Sequence, residues 1–178
     1  MKRLLTILLT IFSLTLISCK NNFKQETLTK GNNEEVDVYL LLGQSNASGY
    51  TKSSYLKEKS LDTYTLASKG FSNVYINSCV EGRLNTKGFV NVTLGQGTNK
   101  KCFGPEVGIS MVLQETSKKS MIIKYSYGGT NLYHDWNINE DDNLFSKMIS
   151  FVNESLTHLK KKGYSPKVAS AFFMQGES

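Results

Sequence analysis

The stretch VDVYLLLGQSN, residues 36–46, decides the fold. Its first seven residues are apolar apart from Asp37, as expected of a strand that is buried on both faces of a parallel sheet. Gly43 then permits a tight turn, and Ser45 comes two residues after Gly43. Ligands of open α/β sheets bind beyond the carboxyl ends of the strands. The hydroxyl of Ser45 is therefore a candidate nucleophile.

Two later segments repeat this arrangement of an apolar strand followed by small or polar residues. Residues 121–125, apolar apart from Lys124, lead to Gly128-Gly129, and residues 168–174 lead to Gln175-Gly176. Each of these motifs alone is ordinary turn chemistry. The three motifs in order, each closing an apolar strand, are much more specific and predict one site at a shared sheet edge.

The segments between these strands predict helices. Pro105 and Glu106 suit a helix start, and that helix is expected to reach about Lys118. A second helix, with N-caps at 141–143 and a stop at Gly163, presents one apolar face. That face is formed by Phe145, Met148, Ile149, Val152, Leu156 and Leu159. Residues 50–103 are expected to be mostly loop, with a short strand at 73–76. The alternation predicts an α/β fold with a parallel sheet.

The strand-end residues fit acyl transfer, which needs a nucleophile, a base and donors for the developing oxyanion. Ser45 supplies the hydroxyl, and its N–H, an N–H of Gly128 or Gly129 and the Gln175 amide are candidate donors. Ala47 stands where the second glycine of a Gly-x-Ser-x-Gly elbow would be. This departure argues against an ordinary α/β-hydrolase lipase.

The ordered motifs resemble the sialate O-acetylesterase and acetylxylan-esterase group of SGNH hydrolases. The matching segments are 43–47, 103–106, Lys124 with 128–130 and Trp136, and 175–177. The resemblance implies a flavodoxin-like three-layer α/β/α fold and hydrolysis of acetyl esters on sugars, without a cofactor. It implies Ser45 as nucleophile and Gly128 or Gly129 with Gln175 as oxyanion-hole positions. It makes Glu106 and Glu177 structural.

The sequence departs from this family in its acid–base residues. The family's Asp-x-x-His segment follows Gln-Gly-Glu, and the sequence ends at Ser178. We therefore expect an incomplete domain with an uncovered sheet edge and weak or no activity. His134, beside Asp135, is a secondary candidate for a substitute base, and His158 is a boundary residue of a helix. A catalytically inactive carbohydrate-binding or interaction lipoprotein, or a fragment of a split gene, are the alternatives.

The amino terminus predicts export. Residues 1–18 have a basic start and a short apolar stretch, and they end beside Cys19 in a pattern that resembles a bacterial lipobox. We expect a lipid on Cys19, a flexible tether over 19–34, and an esterase domain over 35–178 held at a bacterial membrane. Cys79 and Cys102 then remain, either as a disulfide or as two thiols.

Composition argues against other classes of partner. The formal net charge is +6, and nearly all the positive charge comes from scattered lysines rather than from a basic block interleaved with aromatic residues. Nucleic-acid binding is therefore not expected. No CxxC motif or His/Cys cluster suggests a metal site. The expected partners are an O-acetylated carbohydrate and, through the lipid, a membrane.

Overall fold

The computed structural model describes residues 24–140 and 142–176. The predicted signal peptide, Cys19, Asp141 and Glu177 lie outside the described residues, so the predictions made for them stay predictions. The described strands are β1 (Lys24–Gln25), β2 (Glu34–Gly43), β3 (Thr51–Lys52), β4 (Val74–Val80), β5 (Arg83–Leu84), β6 (Thr86–Lys87), β7 (Val90–Asn91), β8 (Cys102–Phe103), β9 (Ser120–Ser126) and β10 (Tyr164–Met174). The described helices are α1 (Ser45–Ser48), α2 (Ser53–Lys59), α3 (Leu61–Lys69), α4 (Pro105–Leu113) and α5 (Leu144–Lys161).

The main sheet has the strand order β10-β2-β9-β4-β5, and β7 also pairs with β4. The four long strands are parallel to one another, whereas β5 and β7 pair antiparallel with β4. The chain passes from β2 through α2 and α3 to β4, and then through α4 to β9, which lies between β2 and β4. It continues through α5 to β10 on the other side of β2. With β4 left aside, β2, β9 and β10 have the 2-1-3 order of a flavodoxin-like sheet, and the parallel strands with connecting helices confirm the predicted α/β fold.

Helices cover both faces of this sheet. The core on one face includes Met148, Phe151 and Val152 of α5. The core on the other face includes Ala67 of α3 and Val107 of α4. Each of the four long strands contributes apolar side chains to both cores, which explains the continuous apolar run of β2. The result is the expected three-layer α/β/α arrangement.

Helix α5 matches its prediction closely. The Asn143 side chain accepts a hydrogen bond from the N–H of Ser146 at 2.8 Å, and Gly163 ends the helix with φ of +87°. Of the predicted apolar face, Ile149 is 42% exposed, while Phe151 is buried in its place. No helix among the described residues, α5 included, is long and apolar enough to cross a membrane.

The segment 50–103 differs from its prediction. It contains helices α2 and α3 and the full strand β4, which extends beyond the short strand expected at 73–76. The Ser60 side chain caps α3 by accepting from the N–H of Thr63, and Gly70 follows its end. These two helices bury only Ala67. A helix without an apolar stripe gives no periodic signal, so the sequence pattern missed both.

Helix α4 starts as predicted but ends at Leu113, five residues before Lys118. The Thr116 hydroxyl donates to the Leu113 carbonyl at 2.8 Å. The Asn73 amide donates to the carbonyls of Thr116 and Lys118 at 2.6 and 3.1 Å. These side chains bond to carbonyl groups that a longer helix would have paired with its own N–H groups. The side chains thus take the place of a last helical turn.

Residues 24–33, called the N-terminal strap below, pack against the domain. Strand β1 pairs with β6, and Leu28 is only 2% exposed. The N–H of Gly31 donates to the Lys162 carbonyl at 2.9 Å, and that of Asn33 donates to the Gly163 carbonyl at 2.7 Å. The prediction of a flexible tether is therefore wrong for residues 24–33.

Candidate active site

The three strand ends predicted to form the site lie side by side. Gly43 at the end of β2 is in register with Met174 of β10 on one side and with Ser126 of β9 on the other. The N–H of Gln44 donates to the Met174 carbonyl at 2.9 Å. A Cβ atom on Gly43, whose φ is +131°, would lie 1.9 Å from that carbonyl oxygen. A glycine is therefore required for β10 to approach this turn.

Ser45 is the first residue of α1, directly after this turn. Its side chain is half-buried, and its Oγ has no hydrogen-bond partner among the described residues. It lines a cavity of about 810 Å³ that lies between α1 and the start of α4. A hydroxyl at a cavity wall that makes no other hydrogen bond is available to react with a ligand bound in the cavity.

Close backbone contact joins the two helices beside this cavity. A Cβ atom on Gly49 would lie 2.5 Å from the Cα of Gly104, and one on Gly104 would lie 2.9 Å from the Cα of Gly49. Both positions therefore exclude a larger residue. This contact places the Gly104-Pro105 start of α4 next to the Ser45 turn. The matching segments 43–47 and 103–106 therefore meet beside the cavity.

A buried ion pair holds the same region. The side chains of Lys124 and Glu106 are fully buried, and Nζ lies 2.7 Å from Oε2. Lys124 also donates to the carbonyls of Ser48 and Gln96 at 2.9 and 3.1 Å. The other carboxylate oxygen of Glu106 accepts from the Gly104 N–H at 2.7 Å. Glu106 thus bonds to loop backbone, as the resemblance implies, and Lys124 ties α1 to α4.

Glu81 is a site residue that the sequence reasoning missed. It follows β4, and its carboxylate accepts from the Ser48 hydroxyl at 2.8 Å and from the Gly128 N–H at 3.1 and 3.2 Å. It therefore links α1 to the glycine loop after β9. Recognising that β4 continues to Val80 would have placed Glu81 at the same sheet edge as Ser45.

The candidate oxyanion donors are not equally available. The N–H of Gly128 is engaged by Glu81, whereas the N–H of Gly129 has no acceptor among the described residues. The side-chain amide of Gln175 donates one hydrogen to the Thr130 carbonyl at 2.8 Å. An amide nitrogen carries two hydrogens, so one remains. Gly129 and Gln175 thus retain an N–H hydrogen that no described residue engages, whereas Gly128 does not.

The structure does not join either histidine to Ser45. His134 is exposed, and its ring packs edge-on against Tyr133 with centroids 4.8 Å apart. The adjacent Asp135 carboxylate accepts from the Asn131 N–H at 2.8 Å, and no hydrogen bond from it to His134 is present among the described residues. His158 lies on α5 and contacts Glu26 of the strap at 2.7 Å. No His134–Asp135 dyad is formed.

Cys79 and Cys102 are both buried free thiols, so the disulfide alternative is wrong for this structure. Cys79 belongs to the core on the α5 side, whereas Cys102 lies on β8 and pairs with Lys52 of β3. Burial raises the pKa of the Cys79 thiol to about 11. That thiol stays protonated at neutral pH and is a packing residue rather than a nucleophile.

Trp136 is also a packing residue. It is 5% exposed, its Nε1 donates to the Thr130 hydroxyl at 3.0 Å, and its ring lies edge-on to Tyr125 and Phe173. Burial raises the pKa of the neighbouring Tyr125 to about 12. Among the described residues, no group of three or more His, Cys, Asp or Glu side chains is arranged to hold a metal ion.

Comparisons with known proteins agree with this fold. A solved Arabidopsis thaliana protein shares the fold, with a TM-score of 0.54 at 16% identity over 81% of this chain. The chain spans 58% of the length of that protein. A search of curated proteins finds no significant match. The family model described as carbohydrate esterase, sialic acid-specific acetylesterase, matches residues 35–178. The chain therefore belongs to this carbohydrate esterase family.

Proposed function

We propose that this protein hydrolyses O-acetyl esters of carbohydrates, with Ser45 as the nucleophile. The observation that carries the proposal is the unpaired Ser45 hydroxyl at the wall of the cavity, at the edge where β2, β9 and β10 end in register. Family membership supports the reaction class, because the family model describes acetylesterases acting on a sugar.

In the proposed reaction, Ser45 Oγ attacks the acetyl carbonyl carbon and loses its proton. The N–H groups of Ser45 and Gly129, together with the remaining amide hydrogen of Gln175, stabilise the oxyanion of the tetrahedral intermediate. The sugar alkoxide takes up a proton as it leaves, and water then releases acetate from the acetylated serine. Gly128 acts indirectly, because Glu81 holds its N–H and so orients the N–H that follows.

This polypeptide is expected to turn over slowly by itself. Neither His134 nor His158 hydrogen-bonds to Ser45, so neither histidine is in position to accept the serine proton. Removal of the histidine base from a serine hydrolase lowers kcat by about 10⁶-fold, although the oxyanion hole preserves some acceleration. A residual, Ser45-dependent rate is therefore the expected signature.

Hydrolysis of an aryl acetate by the purified chain tests this proposal, together with mass spectrometry for an acetyl group on Ser45. We expect slow release of the aryl alcohol and an acetylated Ser45 peptide, both lost in Ser45→Ala. His134→Ala serves as the control and should leave the rate unchanged. Equal rates in Ser45→Ala and the unaltered chain would refute the role of Ser45.

A second candidate function is carbohydrate binding without hydrolysis. It is favoured by one observation, namely that no histidine accompanies Ser45 in the cavity. It predicts saccharide binding that survives Ser45→Ala, with no acetylated serine formed.

We also propose, from the pattern around Cys19, that the protein is exported and anchored to a bacterial membrane by a lipid. Mass spectrometry of the membrane-extracted protein would detect the acylated cysteine.

A further inference from the structure

The cavity beside Ser45 has an exposed aromatic wall. Tyr50, which follows α1, lines the cavity and is 58% exposed, and Phe103 lines it beside Gly104. Most of the remaining lining is small, which leaves the ring of Tyr50 accessible. An open aromatic ring next to a few polar groups is the usual composition of a site for a small, amphipathic ligand.

The hydroxyl of Tyr50 lies near the Glu81 carboxylate, although its ring is exposed. A Cβ atom built on Gly128 would lie 3.2 Å from the Tyr50 hydroxyl and 3.1 Å from a Glu81 carboxylate oxygen, so both groups lie beside the glycine loop. Desolvation and the adjacent Glu81 carboxylate raise the pKa of Tyr50, which keeps its hydroxyl protonated and able to donate. Donation from the Tyr50 hydroxyl to this carboxylate is the contact that would orient the ring.

Glu81 is held in place for this contact. Its φ is +55°, in the left-handed region that non-glycine residues rarely adopt, which costs on the order of 1 kcal/mol. Its N–H donates to the Ser126 carbonyl at 2.9 Å, and its carboxylate engages Ser48 and Gly128. These bonds offset the backbone strain. Tyr50 is thus supported by a carboxylate that is itself bonded to α1 and to the β9 loop.

We propose that Tyr50, oriented through its hydroxyl by Glu81, is the platform on which the sugar ring of an acetylated carbohydrate stacks beside Ser45. The inference rests on the proposed function for the identity of the ligand. The apolar C–H face of a pyranose ring would lie against the tyrosine face, while its hydroxyl groups remain hydrated. The acetyl group would then extend toward Ser45.

Other exposed tyrosines do not share these features. Tyr133 is 79% exposed, but it packs against the exposed His134 and does not line the cavity. Tyr55 is 54% exposed on α2, where the Lys59 ammonium lies 5.5 Å from its ring centroid. Tyr55 is therefore a matched control for loss of an exposed tyrosine ring.

Binding measured in a Ser45→Ala background separates this proposal from hydrolysis. The probes are an O-acetylated methyl hexopyranoside and butyl acetate, which carries the same ester without a ring, titrated by NMR. We expect Tyr50→Ala to weaken glycoside binding about three- to tenfold, as expected for loss of an aromatic contact, and to leave butyl acetate unchanged. Tyr55→Ala should leave both unchanged.

Two further variants test the role of Glu81. Tyr50→Trp retains a stacking face and should bind the glycoside within about twofold of Tyr50, while Glu81→Gln should weaken the glycoside more than butyl acetate. Glycoside binding that is absent, that is unaffected by Tyr50→Ala, or that depends on Tyr133 instead would overturn the proposal. Tyr50-dependent binding without acetylation of Ser45 would uphold the platform and refute the esterase function.

Discussion

Lys124 is the single residue that joins most of the segments around the cavity. Its ammonium group has three hydrogens, and three acceptors lie in reach, on Glu106, Ser48 and Gln96. No donor is therefore left for a substrate, and the role of this lysine is to hold α1 and α4 together. Removal of one partner from a fully buried ion pair lowers the stability of the fold, because it leaves the other charge unpaired.

Lys124→Met is expected to destabilise the protein by about 3–5 kcal/mol, because it leaves the Glu106 carboxylate buried and unpaired. Urea unfolding at neutral pH, followed by circular dichroism, measures this change. The double variant Lys124→Met with Glu106→Leu should recover part of the loss, since both charges are then removed. A double variant less stable than the single one would contradict this account.

Gly43 and Gly108 provide a contrasting pair of glycines. Gly43→Ala places a Cβ atom 1.9 Å from the Met174 carbonyl oxygen, so β10 must move away from the Ser45 turn. We expect a loss of more than about 4 kcal/mol or failure to fold cooperatively. Gly108 lies within α4 with nothing within 4 Å of its added Cβ. Gly108→Ala should therefore stabilise the protein by about 0.5–1 kcal/mol in the same unfolding experiment.

At the scale of elements, the sequence predicts those elements whose core contacts leave a pattern in it. Helix α5 is predicted because its apolar residues recur along one face, and strand β2 because its continuous apolar run faces both cores. Helices α2 and α3 bury almost nothing and gave no such pattern. Glu81 was missed for a different reason, since its role arises when the end of β4 meets α1, and that contact is absent from local sequence. The cavity wall at Tyr50 depends on the same contact.

The N-terminal strap was missed because its partners are distant in sequence. Glu26 accepts hydrogen bonds from Lys162 at 2.9 Å, from His158 at 2.7 Å and from the N–H of Phe89 at 3.2 Å. A polar segment with one buried leucine, Leu28, has the composition of a tether. It packs against the domain because of contacts with residues that lie far along the chain.

We expect the stabilisation that the strap contributes to the fold to be lost in acid. The hydrogen bonds from Lys162 and His158 lower the pKa of Glu26 below its usual value of 4.5, even though burial opposes this. The stabilisation is therefore complete above that value and is lost as the pH falls through the lower pKa of the folded state. Urea unfolding at pH 7 and at stepwise lower pH values should show this loss.

Glu26→Gln isolates the contribution of the carboxylate. The variant should be less stable than the unaltered chain at pH 7, and the gap should close as the pH falls below about 4.5. Glu154→Gln, an exposed substitution on α5, serves as the control and should leave the pH profile unchanged. A gap between Glu26→Gln and the unaltered chain that is constant across pH would contradict the ionic role of Glu26.

At the scale of the whole molecule, β10 forms one edge of the main sheet. It pairs with β2 on one side, and no strand among the described residues pairs with its other side. Val168, Phe172 and Phe173 on this strand are 46%, 40% and 48% exposed. An edge strand that combines free backbone groups with exposed apolar side chains promotes pairing with another chain.

We therefore expect concentration-dependent self-association through β10. Phe172→Lys should reduce it, because a charged side chain on an edge strand opposes pairing, while thermal unfolding stays cooperative. Sedimentation velocity over a range of protein concentrations measures the association. Val112→Lys is the matched control, since Val112 is 67% exposed on helix α4 rather than on the edge strand and should leave the association unchanged. Equal association of both variants and the unaltered chain would show that other surfaces, rather than the β10 edge, bring the molecules together.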